Sequence, residues 1–141
     1  MFRHPTAILT LALAMGACGS SDSTGPDDGG GRVVKADPSF SADVFEILVR
    51  RDCTAGGCHG RGEGGLTMTS AATAYANLVN TPSTASGEIR VIPGNAEDSY
   101  LMKKLENRAS AGARMPLTGP PLDATDLQNI RNWIDQGASD N

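Results

Sequence analysis

The sequence is poor in cysteine, histidine and aromatic residues. Its 141 residues include 3 cysteines, 2 histidines, 1 tryptophan, 2 tyrosines and 3 phenylalanines. It also has no stripe of basic residues, which excludes nucleic acid as an expected partner. The formal net charge of −4 suits solubility and is only weak support for a basic partner protein.

Residue arrangements typical of enzymes are absent as well. There is no Ser/His/Asp set and no pair of carboxylates placed for acid–base chemistry. A thiol oxidoreductase would carry C-x-x-C beside a β-α-β pattern, and neither occurs here. We therefore expect a protein that is not an enzyme.

The first residues resemble a bacterial lipoprotein signal. A basic start is followed by an apolar stretch that is too short to span a bilayer as a helix, and then by Gly16-Ala17-Cys18. We expect a signal peptide over 1–17, lipidation of Cys18 and, because Gly19 follows, an anchor in the outer membrane facing the periplasm. The alternative is an ordinary secretory signal cut near Ala17, which leaves Cys18 as a spare thiol.

The composition changes twice after Cys18. Residues 18–38 are dominated by Gly, Ser and Asp and predict a flexible tether. Residues 39–141 form the predicted folded domain, which is all-α with four short helices and long loops. The predicted helices are 40–51 with Ser41 as N-cap, 70–79, 95–108 with Asn95 as N-cap, and a last helix from the N-cap Asp123 to a stop at Gly137.

The most informative segment is Cys53-Thr54-Ala55-Gly56-Gly57-Cys58-His59. Two thiols followed directly by histidine form the attachment site of a c-type haem, in which the thiols bond the vinyl groups and the imidazole binds iron. The usual spacing is C-x-x-C-H, and here it is C-x4-C-H. We expect Gly56 and Gly57 to accommodate the two extra residues by adopting positive φ.

A second iron ligand is expected from a methionine. Met115 lies in a loop next to Pro116, which favours an extended backbone before it. Met102 lies beside the apolar Leu101 and is expected either to pack in the core or to lie on a solvated flank. Met68 is expected to be apolar filler at the haem edge. Met115 is therefore the predicted ligand, and His/Met ligation favours electron transfer.

The domain resembles the cytochrome c superfamily, and within it the planctomycete-type cytochrome c domains of exported bacterial proteins. The resemblance covers nearly all of the domain and includes the sequences CHG at 58–60, RVIPG at 90–94, RMP at 114–116 and IRNWIDQGA at 130–138. It implies thioethers at Cys53 and Cys58, axial ligands His59 and Met115, and a first and a last helix that cross. The expected function is electron transfer between redox partner proteins through one covalent haem c, around which the long loops wrap.

Two alternatives remain open at this point. Cys53 and Cys58 could form a disulfide that staples a non-haem interaction or structural module, since export favours that bond. A zinc site at Cys53, Cys58 and His59 has less support, because no further Cys or His in the domain could complete the ligand set.

Overall fold

The structure is a computed structural model that describes residues 31–141. The predicted signal peptide, Cys18 and the tether up to residue 30 lie outside the described residues. Within 31–141 the chain forms four α-helices and no strand, which is compatible with the predicted all-α class. The helices are α1 (Phe45–Arg50), α2 (Ala71–Leu78), α3 (Tyr100–Leu105) and α4 (Ala124–Asp135). None of them has the length and apolar character needed to cross a membrane.

The first helical segment begins at Phe40, two residues before the start that the predicted N-cap Ser41 implies. Ser39, not Ser41, is the N-cap, and its hydroxyl accepts a hydrogen bond from the amide of Ala42 at 3.2 Å. The Ser41 hydroxyl is used elsewhere, since it donates to the carbonyl of Asn141 at 2.8 Å. A π-helical turn over Phe40–Val44 precedes α1.

The third helix is much shorter than predicted. Asn95 does accept a hydrogen bond from the amide of Asp98 at 3.0 Å, but Ser99 is extended, with ψ of 123°, and the turn does not continue into a helix. At the other end Asn107 has a φ of 60°, which ends the helical path before Arg108. The predicted helix over 95–108 is therefore reduced to Tyr100–Leu105.

Helices α2 and α4 match their predictions because both are capped locally. Ser70 accepts a hydrogen bond from the amide of Thr73, and Asp123 accepts one from the amide of Asp126 at 2.9 Å. Gly137, which follows α4, has a φ of 104°. This left-handed conformation ends the helix as expected for a glycine at that place.

The core contains an aromatic cluster that joins the first helical segment to α2 and α4. The Phe40 ring lies 4.9 Å from the Trp133 ring and 5.3 Å from the Tyr75 ring, measured between centroids. The polar atoms of both partners are satisfied, because Tyr75 donates to the carbonyl of Ala138 and Trp133 to that of Ser139. This cluster fixes the C-terminal residues against the start of the domain.

The domain includes part of the segment that was assigned to the tether. The side chain of Asn129 in α4 accepts from the amide of Lys35 at 2.7 Å and donates to the carbonyl of Val33 at 3.1 Å. Arg32 pairs with Asp126 at 2.8 Å. Hydrogen bonds to α4 therefore hold the chain from Arg32 onward.

Candidate functional site

A cavity of about 400 Å³ lies on the side of the domain formed by the long loops. This volume falls within the range of about 300–1,000 Å³ that is typical of small-molecule and cofactor sites. Its apolar lining comes from several elements, namely Leu48, Leu66, Met68, Leu78, Leu101 and Leu105.

The predicted site residues come together at this cavity. Cys53, Cys58, His59 and Met115 all line it, although Met115 is far from the other three in the chain. Of the other methionines, Met68 also lines the cavity, whereas Met102 is fully buried in the core and does not.

The segment that carries the two cysteines is a series of tight turns. The amide of Cys58 donates to the carbonyl of Ala55, and the amide of His59 donates to the carbonyl of Cys53, both at 2.9 Å. The expected positive φ at Gly56 and Gly57 is wrong, because neither residue adopts it. The left-handed conformation lies just before the segment instead, at Asp52, whose φ is 58°.

Gly60 is the glycine that this segment requires. A Cβ atom at residue 60 would lie 2.3 Å from the carbonyl oxygen of Thr54 and 2.8 Å from that of Ala55. Any larger residue would push these turns apart, so glycine permits the close backbone approach.

Cys53 and Cys58 are both free thiols in the structure. Cys53 packs against the core, and this burial, with a smaller contribution from Cys58, raises the pKa of the Cys53 thiol to about 11. Cys53 is therefore protonated at neutral pH.

The imidazole of His59 is held by the main chain. Its Nδ1 atom lies 2.8 Å from the carbonyl oxygen of Glu63. A carbonyl can only accept, so Nδ1 is the donor, and Nε2 is the nitrogen that the neutral ring offers to a metal. Gly64 lies beside the ring, because a Cβ atom there would be 3.8 Å from Cε1 of His59. The histidine thus has the tautomer and fixed orientation that suit a metal ligand.

The two methionines at the cavity are attached to different parts of the chain. The amide of Met68 donates to the carbonyl of His59 at 2.8 Å, so Met68 belongs to the same segment as the histidine. The amide of Met115 donates to the carbonyl of Lys104 in α3 at 2.9 Å. The backbone of Met115 is therefore anchored to α3 and not to the segment of His59.

Five lysines and arginines of residues 31–141 have no carboxylate partner there, and three of them line the cavity. Within 31–141 they are Arg51, Arg90 and Lys104, which line it, and Arg61 and Arg114, which lie within two residues of His59 and Met115. The described cations elsewhere are in ion pairs, namely Arg32, Lys35, Arg50, Lys103, Arg108 and Arg131. The cavity wall also holds the carboxylates Asp52 and Glu63, which are exposed.

Arg90 is the most buried of these unpaired cations, with 6% of its surface exposed. Its guanidinium donates to the carbonyls of Asn77 at 3.0 Å and Gly65 at 2.8 Å. Burial lowers the pKa of Arg90, which reflects the cost of a desolvated positive charge. A buried cation at a cavity wall favours an anionic group on whatever the cavity binds.

Sequence reasoning assigned no role to Arg90, Lys104 or the carbonyl of Glu63. Arg90 gives a weak sequence signal, since it is a lone cation between the apolar residues Ile89 and Val91. The other two act through main-chain or loop contacts, which no residue pattern marks.

Among residues 31–141 no group of three or more His, Cys, Asp or Glu side chains could hold a metal ion. Searches with protein-family models, among curated proteins and among solved structures find no match to the chain. The resemblance to the cytochrome c superfamily therefore rests on the sequence motifs, and the geometry of the cavity is an independent observation beside it.

Proposed function

We propose that this protein is a c-type cytochrome that carries one covalent haem and transfers single electrons between redox partner proteins. The observation that carries the proposal is the cavity of about 400 Å³ at which Cys53, Cys58, His59 and Met115 meet. When bound, a haem would supply an iron centre that gains and loses one electron.

The two thiols fit covalent attachment. Each thiol would add to one vinyl group, so that sulfur bonds to one carbon and the thiol hydrogen goes to the other. No oxidant or reductant is consumed in this addition. Both thiols are free and both line the cavity, as the reaction requires.

The remaining groups fit the other parts of a haem. His59 presents Nε2, because Nδ1 donates to the carbonyl of Glu63. Met115, whose amide is bonded to α3, offers a thioether at the same cavity. The leucine-rich lining suits an apolar macrocycle. Arg90, which has no carboxylate partner in the described part of the chain, would offset the charge of a propionate.

A fully coordinated iron suits an electron carrier better than an enzyme. With His59 and Met115 both bound, no position would remain open for a substrate, and this ligand pair raises the reduction potential. His59 and Met115 would then hold the iron in both of its oxidation states.

We further propose that the mature protein is lipid-anchored at Cys18 and faces the periplasm from the outer membrane. The support is the sequence Gly16-Ala17-Cys18-Gly19 after a short apolar stretch. Incorporation of labelled fatty acid into the wild-type protein, with loss of the label in Cys18→Ala, would test this part separately.

The deciding experiment is expression in a host with the cytochrome c maturation system, followed by intact mass and a haem stain after denaturation. We expect the mass of one haem to remain with the chain. Cys53→Ala and Cys58→Ala separately would show whether one or both sulfurs are attached, and His59→Ala is expected to prevent haem incorporation.

The same experiment distinguishes the haem proposal from its main alternative. A chain without haem and lighter by two hydrogens would mean that Cys53 and Cys58 form a disulfide. The electron-transfer proposal would then be wrong, and a disulfide-stapled binding or structural module would replace it.

A further inference from the structure

The loop that carries Met115 has little regular structure of its own. Residues 109–121 form neither helix nor strand, and they include Gly112, Pro116 and Gly119. The position of Met115 at the cavity therefore depends on bonds from other elements to this loop.

Lys104 of α3 makes three of these bonds. The others come from Tyr100, from Arg51 to the carbonyls of Pro120 and Pro121, and from Glu88, which accepts from Ser110. The Nζ atom of Lys104 donates to the carbonyl of Ala113 and, at 3.4 Å, to that of Ala111. Its own carbonyl accepts the amide of Met115 at 2.9 Å. Among residues 31–141 no carboxylate forms an ion pair with this ammonium, and its hydrogen bonds all go to the loop. The centroid of the Tyr100 ring lies 6.0 Å from the ammonium.

Two further observations show that Lys104 and Tyr100 both lie closely against the loop. A Cβ atom at Gly112 would lie 2.9 Å from Nζ of Lys104, so the ammonium fills the space that a side chain would occupy. The hydroxyl of Tyr100, one helical turn before Lys104, donates to the carbonyl of Ala111 at 2.8 Å. Tyr100 and Lys104 thus bind the loop from the same face of α3.

We infer that Lys104, assisted by Tyr100, is a positioning residue that holds the Met115 loop at the cavity and so keeps Met115 available as an iron ligand. The inference rests on the function proposed above. A hydrogen bond from a charged donor is stronger than one between neutral groups. Removal of the ammonium releases the loop at Ala111 and Ala113, and the fraction of molecules with Met115 away from the cavity rises.

The test uses the full chain carrying covalent haem, with Lys104→Met, Lys104→Arg and Tyr100→Phe. Methionine keeps an unbranched side chain but removes the donors, whereas arginine keeps the charge and donors. Lys35→Met is the matched control, because Lys35 binds Asp43 and does not line the cavity. Two quantities are measured: the exchange rate of the Met115 amide hydrogen, and the affinity of the ferric protein for imidazole.

We expect both quantities to rise by about tenfold in Lys104→Met, because external ligand binds only the molecules in which Met115 is displaced. Lys104→Arg should keep the exchange rate and the imidazole affinity close to those of wild type. Tyr100→Phe should raise both by less than Lys104→Met does, and Lys35→Met should resemble wild type. Should Lys104→Met not fold, Tyr100→Phe alone decides through the same two measurements.

Exchange and imidazole affinity that stay within about twofold of wild type in Lys104→Met and Tyr100→Phe would overturn the inference and leave the haem proposal intact. Wild-type protein without haem would overturn the proposed function instead. The hydrogen-exchange comparison does not need haem, so it would still decide whether Lys104 holds the loop.

Discussion

The Nδ1 atom of His59 donates a hydrogen bond of 2.8 Å to the main-chain carbonyl of Glu63. This bond uses the backbone of residue 63 and not its carboxylate. Gly64, which follows, has a φ of 68°, a conformation that non-glycine residues adopt at a cost of about 1 kcal/mol.

We expect Gly64→Ala to weaken this bond and Glu63→Ala to leave it intact. Alanine at 64 strains the turn that presents the Glu63 carbonyl, whereas truncation at 63 keeps the carbonyl. The Nδ1 proton of His59, observed by NMR through its exchange with water, provides the measurement. Equal exchange in both variants would contradict the role of this turn.

Gly60 and Gly57 give a matched pair of substitutions in the cysteine segment. A Cβ atom at 60 would meet the Thr54 carbonyl at 2.3 Å, whereas one at 57 would have nothing within 4 Å. We expect Gly60→Ala to lower the free energy of unfolding by about 1–3 kcal/mol and to reduce haem incorporation. Gly57→Ala should be close to neutral in urea unfolding, and a similar loss in both variants would argue against the clash.

The three described methionines can be distinguished by alanine substitution. Met115→Ala should keep the haem attached, lower its reduction potential and raise the affinity for external ligands by about tenfold or more. Met68→Ala, at the same cavity but bonded to the His59 segment, should retain the potential. Met102→Ala should cost about 2–5 kcal/mol of stability, because Met102 is fully buried. Voltammetry and urea unfolding separate these outcomes, and an unchanged potential in Met115→Ala would exclude Met115 as a ligand.

Arg90→Leu is expected to destabilise the haem-bearing protein more than the Cys53→Ala/Cys58→Ala protein. In both proteins the carbonyls of Asn77 and Gly65 lose a donor, at about 1–3 kcal/mol. Only the haem-bearing form would also lose the positive charge beside a haem propionate. Urea unfolding of all four proteins measures the difference, and equal losses would mean that Arg90 serves the fold alone.

The lowered pKa of Glu106 predicts that the folded protein loses stability in acid. Burial alone would raise its pKa, but hydrogen bonds from Arg108 and Arg131 outweigh this effect and hold the pKa below its ordinary value. The stabilisation is therefore fully present above the ordinary glutamate pKa of about 4.3. It is lost as the pH falls through the lower pKa of the folded state.

We expect Glu106→Gln to cost about 1 kcal/mol at pH 7 and progressively less below pH of about 4. Unfolding midpoints of wild type and variant across this range provide the test. A difference that stays constant with pH would show that the carboxylate charge is not involved.

Local sequence was sufficient for the elements whose caps lie within one turn. Ser70 and Asp123 cap α2 and α4 through amides three residues ahead, so the pattern contains the whole interaction. The start of the first helical segment was misplaced because Ser41 binds Asn141 and Ser39 is the cap. The length of α3 was overestimated because Ser99 is extended. Both errors come from partners that are distant in the chain or from a backbone state that residue type does not fix.

The sequence by itself determined the residue types of the candidate site, namely the thiols at 53 and 58, the histidine at 59 and the methionine at 115. It did so because thiol, imidazole and thioether chemistry belongs to individual side chains and their spacing. Only the tertiary structure decided that these groups share one cavity and that the Glu63 carbonyl orients His59. It also decided that Arg90 and Lys104 line this cavity with no carboxylate partner among residues 31–141. These relationships depend on chain segments that meet through the burial of apolar surface, which the order of residues along the chain does not reveal.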